Sequence, residues 1–283
     1  MKKQLISIIL ALVLLPIGNS FAWTQRAPQP LQSCAVHAPY GMPQVSAQPI
    51  CREGYLVAYD AAAKIPKFVT YTLPPQNAVG CFPRTNAFVA DESVLNGPTP
   101  QDYVGTGYDK GHASPDGDQS WSQQVEYESF LMTNMYPQAG SLNRGIWKLL
   151  ETSIRGWALQ RNQAYTIYVG GIYGVGDKII GNGVVVPHGF YKIVINQATG
   201  EVAGWGFPHT PPYPNLGNDL TKYRIPVNQI KQLAKINFKF PEHPLNDISI
   251  NSIKNGAKAY KHLMIQFADT MFSKSKLDIF STD

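Results

Sequence analysis

Apolar and polar positions along the chain fall into three regimes. The first is an apolar run over residues 5–15 that follows the basic start Met1-Lys2-Lys3 and closes at Ser20-Phe21-Ala22. Small residues stand there at the two positions a signal peptidase reads, and the run is too short and wrongly flanked for a membrane anchor, so residues 1–22 predict a secretory signal. The second regime alternates. Residues 55–59 and 67–73 predict strands that pair as a hairpin, and further strand segments follow at 165–169, 183–187, 190–195 and 201–207. Residues 176–183 predict a hairpin tip and 196–200 a turn. The third regime has helical spacing. It is clearest over 142–160, where Ile146, Leu149, Leu150, Ile154 and Trp157 form the buried side; a short helix over 228–236 and a longer one over 253–272 follow.

Between these elements the chain is irregular. Residues 23–52 carry Pro28, Pro30, Pro39, Pro43 and Pro49 and predict a loop-like arm, and 74–102 predict a long connection that carries Arg84. Residues 126–131 predict a short helix or a strand entry. His37, His209 and His243 stand beside prolines in loops and are expected to be exposed; His188 lies between strand segments and His262 in the tail helix. The glycines at 170, 171, 174 and 176 precede no helix, which argues against a nucleotide-phosphate cradle. No repeat or low-complexity segment is present.

Composition narrows the class. An apolar fraction of 44% with 11% aromatics suits a globular core. Loss of residues 1–22 leaves 261 of 283 residues, enough for one large domain with extensions. It also removes Lys2 and Lys3 from 24 basic residues, leaving 22 against 19 acids, a net of +3 that permits a polyanionic substrate without arguing for one. The most basic stretch is the tail, with Lys254, Lys258, Lys261, Lys274 and Lys276, read as a solvated helix face rather than an auxiliary contact surface. Cys34, Cys51 and Cys81 allow one intramolecular bridge and three pairings; Cys34–Cys51 is preferred because both lie in the irregular arm. No Cys/His spacing suits zinc.

The chemistry-bearing stretch is Tyr108-Asp109-Lys110-Gly111-His112-Ala113-Ser114-Pro115, read with the residues from Thr133 to Gln138 and from Leu142 to Glu151. On a continuous helix, Asn143, Trp147, Glu151 and Arg155 fall on one stripe at steps of four. Asn143 and Glu151 offer hard oxygens suited to magnesium, directly or through water. Arg155 offers a planar fork for phosphate. His112, expected on a loop, has the ordinary pKa of a proton acceptor for an attacking water. Singly, each has a plainer reading: a surface histidine, an i,i+4 ion pair, a helix-start amide. Their order and spacing together point to metal-assisted hydrolysis of a phosphodiester.

In these motifs the chain resembles the DNA/RNA non-specific endonucleases, whose active site is a ββα-metal (His-Me) finger. The likeness rests on Asp109-Lys110-Gly111-His112, Asn134-Met135-Tyr136-Pro137-Gln138, and Leu142-Asn143-Arg144-Gly145-Ile146-Trp147 through Glu151 and Arg155. It extends upstream to Arg84, Phe88, Asp91, Ser93 and Val94. Downstream it takes in Tyr168-Val169-Gly170-Gly171-Ile172-Tyr173-Gly174 and the stretch from Val186 to Lys192, so that 54–241 are covered. The resemblance implies an α+β fold, a central mostly antiparallel sheet flanked by helices. With the patterning read above, the chain is expected to divide into signal 1–22, arm 23–52, nuclease domain 53–241 and a C-terminal helical extension 242–283.

For the site, the resemblance implies His112 as general base and Asn143 as the one protein ligand to magnesium (Mg2+), with Mn2+ or another divalent cation as substitute. It implies that Glu151 holds metal-bound water and that Arg155 and Arg84 steady the phosphate charge. Asn134 would support the geometry, with Lys110 and Arg144 contacting substrate. Lys110 departs from the family's usual arginine: the charge stays and the bidentate fork is lost. The implied substrates are DNA and RNA, cut to leave 5′-phosphate ends by a secreted or periplasmic enzyme; a protein inhibitor and the oligomeric state are left open. The competing expectation is a weak or inactive nucleic-acid-binding or secreted interaction protein on the same scaffold. Every catalytic position being filled speaks against it.

Overall fold

The computed structural model describes residues 24–240, 243–244, 257–258 and 260–262. In chain order its strands are β1 (Gln48–Cys51), β2 (Leu56–Asp60), β3 (Ile65–Leu73), β4 (Tyr108–His112), β5 (Met135–Ala139), β6 (Tyr165–Ile172), β7 (Ile179–Ile180), β8 (Val184–Val185), β9 (Gly189–Asn196), β10 (Glu201–Pro208) and β11 (His243–Pro244). Its α-helices are α1 (Pro75–Val79), α2 (Asp116–Gln119), α3 (Gln123–Ser129), α4 (Lys148–Arg161) and α5 (Val227–Ala234). The main sheet runs β1-β2-β3-β6-β9-β10-β11, antiparallel throughout except for the two-residue β11. The architecture is thus α+β, a mostly antiparallel sheet with helices on it, and the 55–59/67–73 hairpin is β2–β3.

Alternation along the strands separates two apolar faces. One presents Val69, Tyr71, Ile167, Val169, Phe190, Val194, Trp205 and Phe207, and against it pack Trp147, Leu150, Ile154 and Trp157 from α4 and its entry, with Met135 and Tyr136 of β5. The other presents Phe68, Tyr168, Tyr191 and Ile193, covered by Ile230 of α5 and by Ile236 and Phe238. Both faces are buried, which is why Tyr191 and Ile193 alternate with Phe190 and Val194 in β9, a run whose one charged position is the buried Lys192.

The helix expected over 142–160 is interrupted. Residues Leu142–Trp147 form π-type turns with Gly145 outside helical geometry (φ −99°, ψ −120°), and regular α-helix begins at Lys148. Glycine has no Cβ to hold the backbone helical, and such π segments concentrate at functional sites. The stripe drawn on a continuous helix therefore holds for Trp147, Glu151 and Arg155, while Asn143 lies across the break.

Residues 24–52 of the arm carry more order than their prolines suggest. A 3-10 helix spans Leu31–His37, β1 forms a sheet edge, and Cys34 and Cys51 are joined as preferred, with Cα atoms 5.8 Å apart. Cys81 is an exposed free thiol. His37, expected to be exposed, is buried: its Nε2 donates to the Glu53 carbonyl at 2.9 Å and its Nδ1 accepts from Thr72 N at 3.3 Å. Burial pushes its pKa down. The tail helix over 253–272 lies almost wholly outside the described residues; 257–258 and 260–262 are helical.

Arg52 ties the arm to the domain. It is buried and pairs with Asp91 at 2.7 Å, whose carboxylate also accepts from Ser93 N at 2.9 Å and Thr133 Oγ1 at 2.5 Å. Removing one partner leaves a buried charge uncompensated. Arg52→Met is expected to lower unfolding free energy in urea by about 3–5 kcal/mol. A loss below about 1 kcal/mol would show that the pair does not anchor the arm.

Candidate active site

A hairpin and a helix build the site. Strands β4 and β5 pair antiparallel, Tyr108 opposite Ala139 through His112 opposite Met135, so His112 stands at a strand end rather than on a loop. Gly111 is required by close approach. A Cβ there would come within 2.0 Å of Gln138 Oε1, and the diagonal neighbour fills the space a side chain would need.

His112 is 8% exposed and wedged between two rings, with Phe130 edge-on at 4.8 Å and Phe88 at 5.6 Å. Its Nε2 is buried without a hydrogen-bond partner. Desolvation, and then the Arg84 charge, push its pKa down to about 3, so the imidazole is neutral and able to take a proton throughout the neutral range. Arg84 lies with its guanidinium 4.7 Å over the same Phe130 ring, pairs with Asp116, and donates from Nε to Asn86 Oδ1 at 2.7 Å. Lys110 places its ammonium 4.9 Å over Phe88.

Asn134 fixes the chain that leaves His112. Its Oδ1 accepts from Ser114 N at 3.0 Å, its Nδ2 donates to the carbonyls of Ser114 (2.9 Å) and Ser129 (2.8 Å), and its own carbonyl accepts from Ala113 N at 2.9 Å. All its amide atoms are engaged in the interior, where they hold the backbone at Ala113 and Ser114.

Asn143 meets β4 through Asp109, to whose Oδ2 its Nδ2 donates at 2.9 Å. Arg144 clamps the same carboxylate at 2.5 and 2.6 Å and is otherwise largely exposed. Among the described residues no hydrogen bond joins Asn143 directly to His112; β4 carries a contact to each. Asp109 thus engages the amide nitrogen of Asn143 and leaves its oxygen as a candidate donor atom. Among the described residues no cluster of three or more His, Cys, Asp or Glu could hold a metal ion. The donor set fits a hydrated divalent cation on one carboxamide oxygen, and not a zinc centre.

Glu151 and Arg155 face inward from α4. Glu151 is buried and pairs with Lys192 of β9 at 3.3 Å; Lys192, fully buried, also lies 4.5 Å over the Trp147 ring. Burial pushes Glu151 up and Lys192 down, each opposed by the other's charge. Arg155 donates to Asp118 Oδ1 at 2.6 Å, Tyr71 OH donates to Asp118 Oδ2 at 2.8 Å, and the Tyr260 ring lies 5.0 Å from the guanidinium. Asp116 feels both Arg84 and Arg155, so the His112–Arg84 pair and the Glu151–Arg155 pair belong to one electrostatic cluster.

Asp109, Asp116, Asp118, Phe88, Phe130 and Lys192 complete this cluster, and sequence reasoning gave none of them a role. Lys192 carried a signal: a lysine inside an otherwise apolar strand run must have a buried partner. His209, expected to be exposed, is buried; its Nε2 accepts from Ala139 N at 2.8 Å and its Nδ1 donates to the Pro187 carbonyl at 2.6 Å, bracing β5. His188 is half-exposed beside Asp177 at 2.9 Å, and the His243 side chain lies outside the described residues.

Comparison with known proteins bears on the same residues. The family model described as DNA/RNA non-specific endonuclease matches residues 35–243. Mitochondrial Nuclease 1 of Schizosaccharomyces pombe is 29% identical over 221 residues, covering 69% of this chain and 67% of the relative. Human mitochondrial Endonuclease G is 29% identical over 238 residues, 78% of each chain, and a Nostoc nuclease 28% identical over 269 residues, 86% of this chain and 96% of its own. A solved structure, the EndoG/EndoGI complex, superposes with a TM-score of 0.64 at 22% identity over 73% of this chain and 91% of that one, a likeness of fold.

The Glu151–Lys192 pair makes a stability prediction. Lys192→Met leaves Glu151 buried alone and is expected to cost about 3–5 kcal/mol in denaturant unfolding. Adding Glu151→Gln to that variant recovers part of the loss; a double variant less stable than Lys192→Met would overturn the pairing.

Proposed function

The chain belongs to the DNA/RNA non-specific endonuclease family, and is thus a hydrolytic endonuclease dependent on a divalent metal; we propose that it is exported and cuts DNA and RNA alike, leaving 5′-phosphate ends. The observation that carries this reading is the neutral, partnerless His112 imidazole beside Arg84, on the same strand whose Asp109 holds Asn143. Export is supported by the 1–22 segment and by the Cys34–Cys51 bridge, which persists in oxidising compartments.

In this reading His112 takes the proton from a water aligned against the phosphorus. Arg84 and Arg155 supply fixed positive charge as the phosphate becomes more anionic, Arg155 held in place by Asp118. A divalent cation, magnesium first, held through Asn143 Oδ1 would neutralise charge on the phosphate and the departing oxygen. Asp109 orients the carboxamide for that role, and Glu151 would hold water of the cation's shell. Lys110 and Arg144 contact the substrate backbone, and contacts confined to phosphates account for cleavage indifferent to base.

Plasmid and RNA digestion by purified protein, with and without chelator, tests this. His112→Ala and Asn143→Ala are each expected to abolish cleavage while circular dichroism and melting remain those of a folded protein. Parental digestion by either variant, or cleavage undiminished by chelator, would sink the assignment.

The pH profile supplies a second test. The free enzyme's kcat/KM reports the free imidazole, so its acidic limb is expected well below pH 6.5. Removing the neighbouring positive charge favours protonation, and Arg84→Ala should therefore move that limb upward while lowering kcat. A parental limb centred at the ordinary histidine value would contradict the desolvated site.

A further inference from the structure

Three cations lie along one face of β4, each over an aromatic ring. Residues 108, 110 and 112 share that face by strand alternation. At its far end Lys178, exposed, holds its ammonium 4.9 Å over the Tyr108 ring and beside Tyr213, whose hydroxyl meets that of Tyr108. In the middle Lys110 lies over Phe88. At the near end Arg84 lies over Phe130, next to His112. The strand positions 108, 110 and 112 follow one another at roughly 6.6 Å, on the order of one nucleotide of extended backbone. The Lys110 ammonium leans toward the His112 end, since the Phe88 ring beneath it lies 5.6 Å from the imidazole. The neighbouring acids are already engaged: Asp177 with His188, Asp109 with Asn143 and Arg144, Asp116 with Arg84. Among the described residues neither Lys178 nor Lys110 has a carboxylate partner within ion-pair distance, and ring stacking holds each ammonium without neutralising it.

We propose that Lys178, seated on Tyr108, is a phosphate subsite two nucleotides from the scissile position, so that a single nucleic-acid strand lies along β4 with successive phosphates at Arg84, Lys110 and Lys178. The direction of the strand rests on the reading of His112 as the reacting end; the subsite itself does not. Neither stacking cations nor phosphate contacts select a base, which suits a substrate taken without regard to sequence. It also gives lysine at position 110 a use that needs no bidentate fork: a point charge under a passing phosphodiester.

The test separates binding from chemistry. Fluorescence anisotropy of a labelled 12-nucleotide single strand in chelator, across a salt series, reads the track alone. Lys178→Ala is expected to weaken binding several-fold and to make the slope of log affinity against log salt shallower by about 0.7, the loss of one phosphate contact on a single strand. Lys178→Arg restores both. Lys231→Ala removes a lysine that lies 6.0 Å over Phe240 from α5, on the opposite face of the main sheet, and should change neither. Parental affinity and slope in Lys178→Ala, or an equal effect of Lys231→Ala, would overturn the subsite. Hydrolysis of bis(p-nitrophenyl) phosphate, too small to reach Lys178, is then compared with metal present. Equal turnover by parent and Lys178→Ala is expected, and a matching loss there would place Lys178 in the reacting centre instead. If the parent cleaves no diester while the binding effects persist, the catalytic reading fails and the subsite stands.

Discussion

Four charged side chains, Glu151, Arg155, Asp118 and Lys192, lie between α4 and the sheet with almost no access to water, and the interface tolerates them only as a set. An isolated ion in such a place would cost several kcal/mol, so each must be met by an opposite charge or a hydrogen bond. Helix α4 supplies the acid and the guanidinium, α2 supplies Asp118, and β9 supplies Lys192 from the floor. Their pairing adds to the apolar contacts of Ile154 and Trp157 in seating the helix on the sheet. The hairpin above, with His112 at its tip, inherits the position.

Desolvation serves two ends in this arrangement. Around His112 it keeps the imidazole neutral, and the Phe88 and Phe130 rings that exclude water are the same rings that seat Lys110 and Arg84. Apolar surface and positive charge are interleaved rather than segregated. A modest net charge is therefore compatible with a polyanionic substrate: what matters is which cations lack carboxylate partners, and where they sit.

Much of this was legible in the chain. Strand alternation at 55–59, 67–73 and 190–195 came through because apolar faces on a sheet leave a period-two record, and the apolar side of α4 left a helical one. His112, Asn143, Glu151 and Arg155 stood out as candidates because their types and spacing are chemically restrictive. Arg84, Asn134, Lys110 and Arg144 entered only through the family resemblance, and the disulfide could be chosen because both cysteines sat in the arm. What failed had two physical origins. The burial of His37 and His209 and the partners of Glu151 and Arg155 depend on contacts between distant segments, which local pattern does not encode. The break at Gly145, by contrast, is local and was hidden by the continuous apolar spacing around it. Proline neighbours suggested surface for both histidines; hydrogen bonds to backbone atoms of other elements overrode that suggestion.

Gly111 has a consequence for assembly. Sliding β4 by one residue against β5 would exchange the two faces of the strand, turning the imidazole away from the Phe88 and Phe130 rings and the carboxylate of Asp109 away from Asn143. Gln138 occupies the space beside position 111 so fully that a slipped pairing would have to fit Lys110 or His112 there instead. A missing side chain thus works as an indexing notch, admitting one alignment of the two strands and rejecting its nearest competitors before any chemistry is possible.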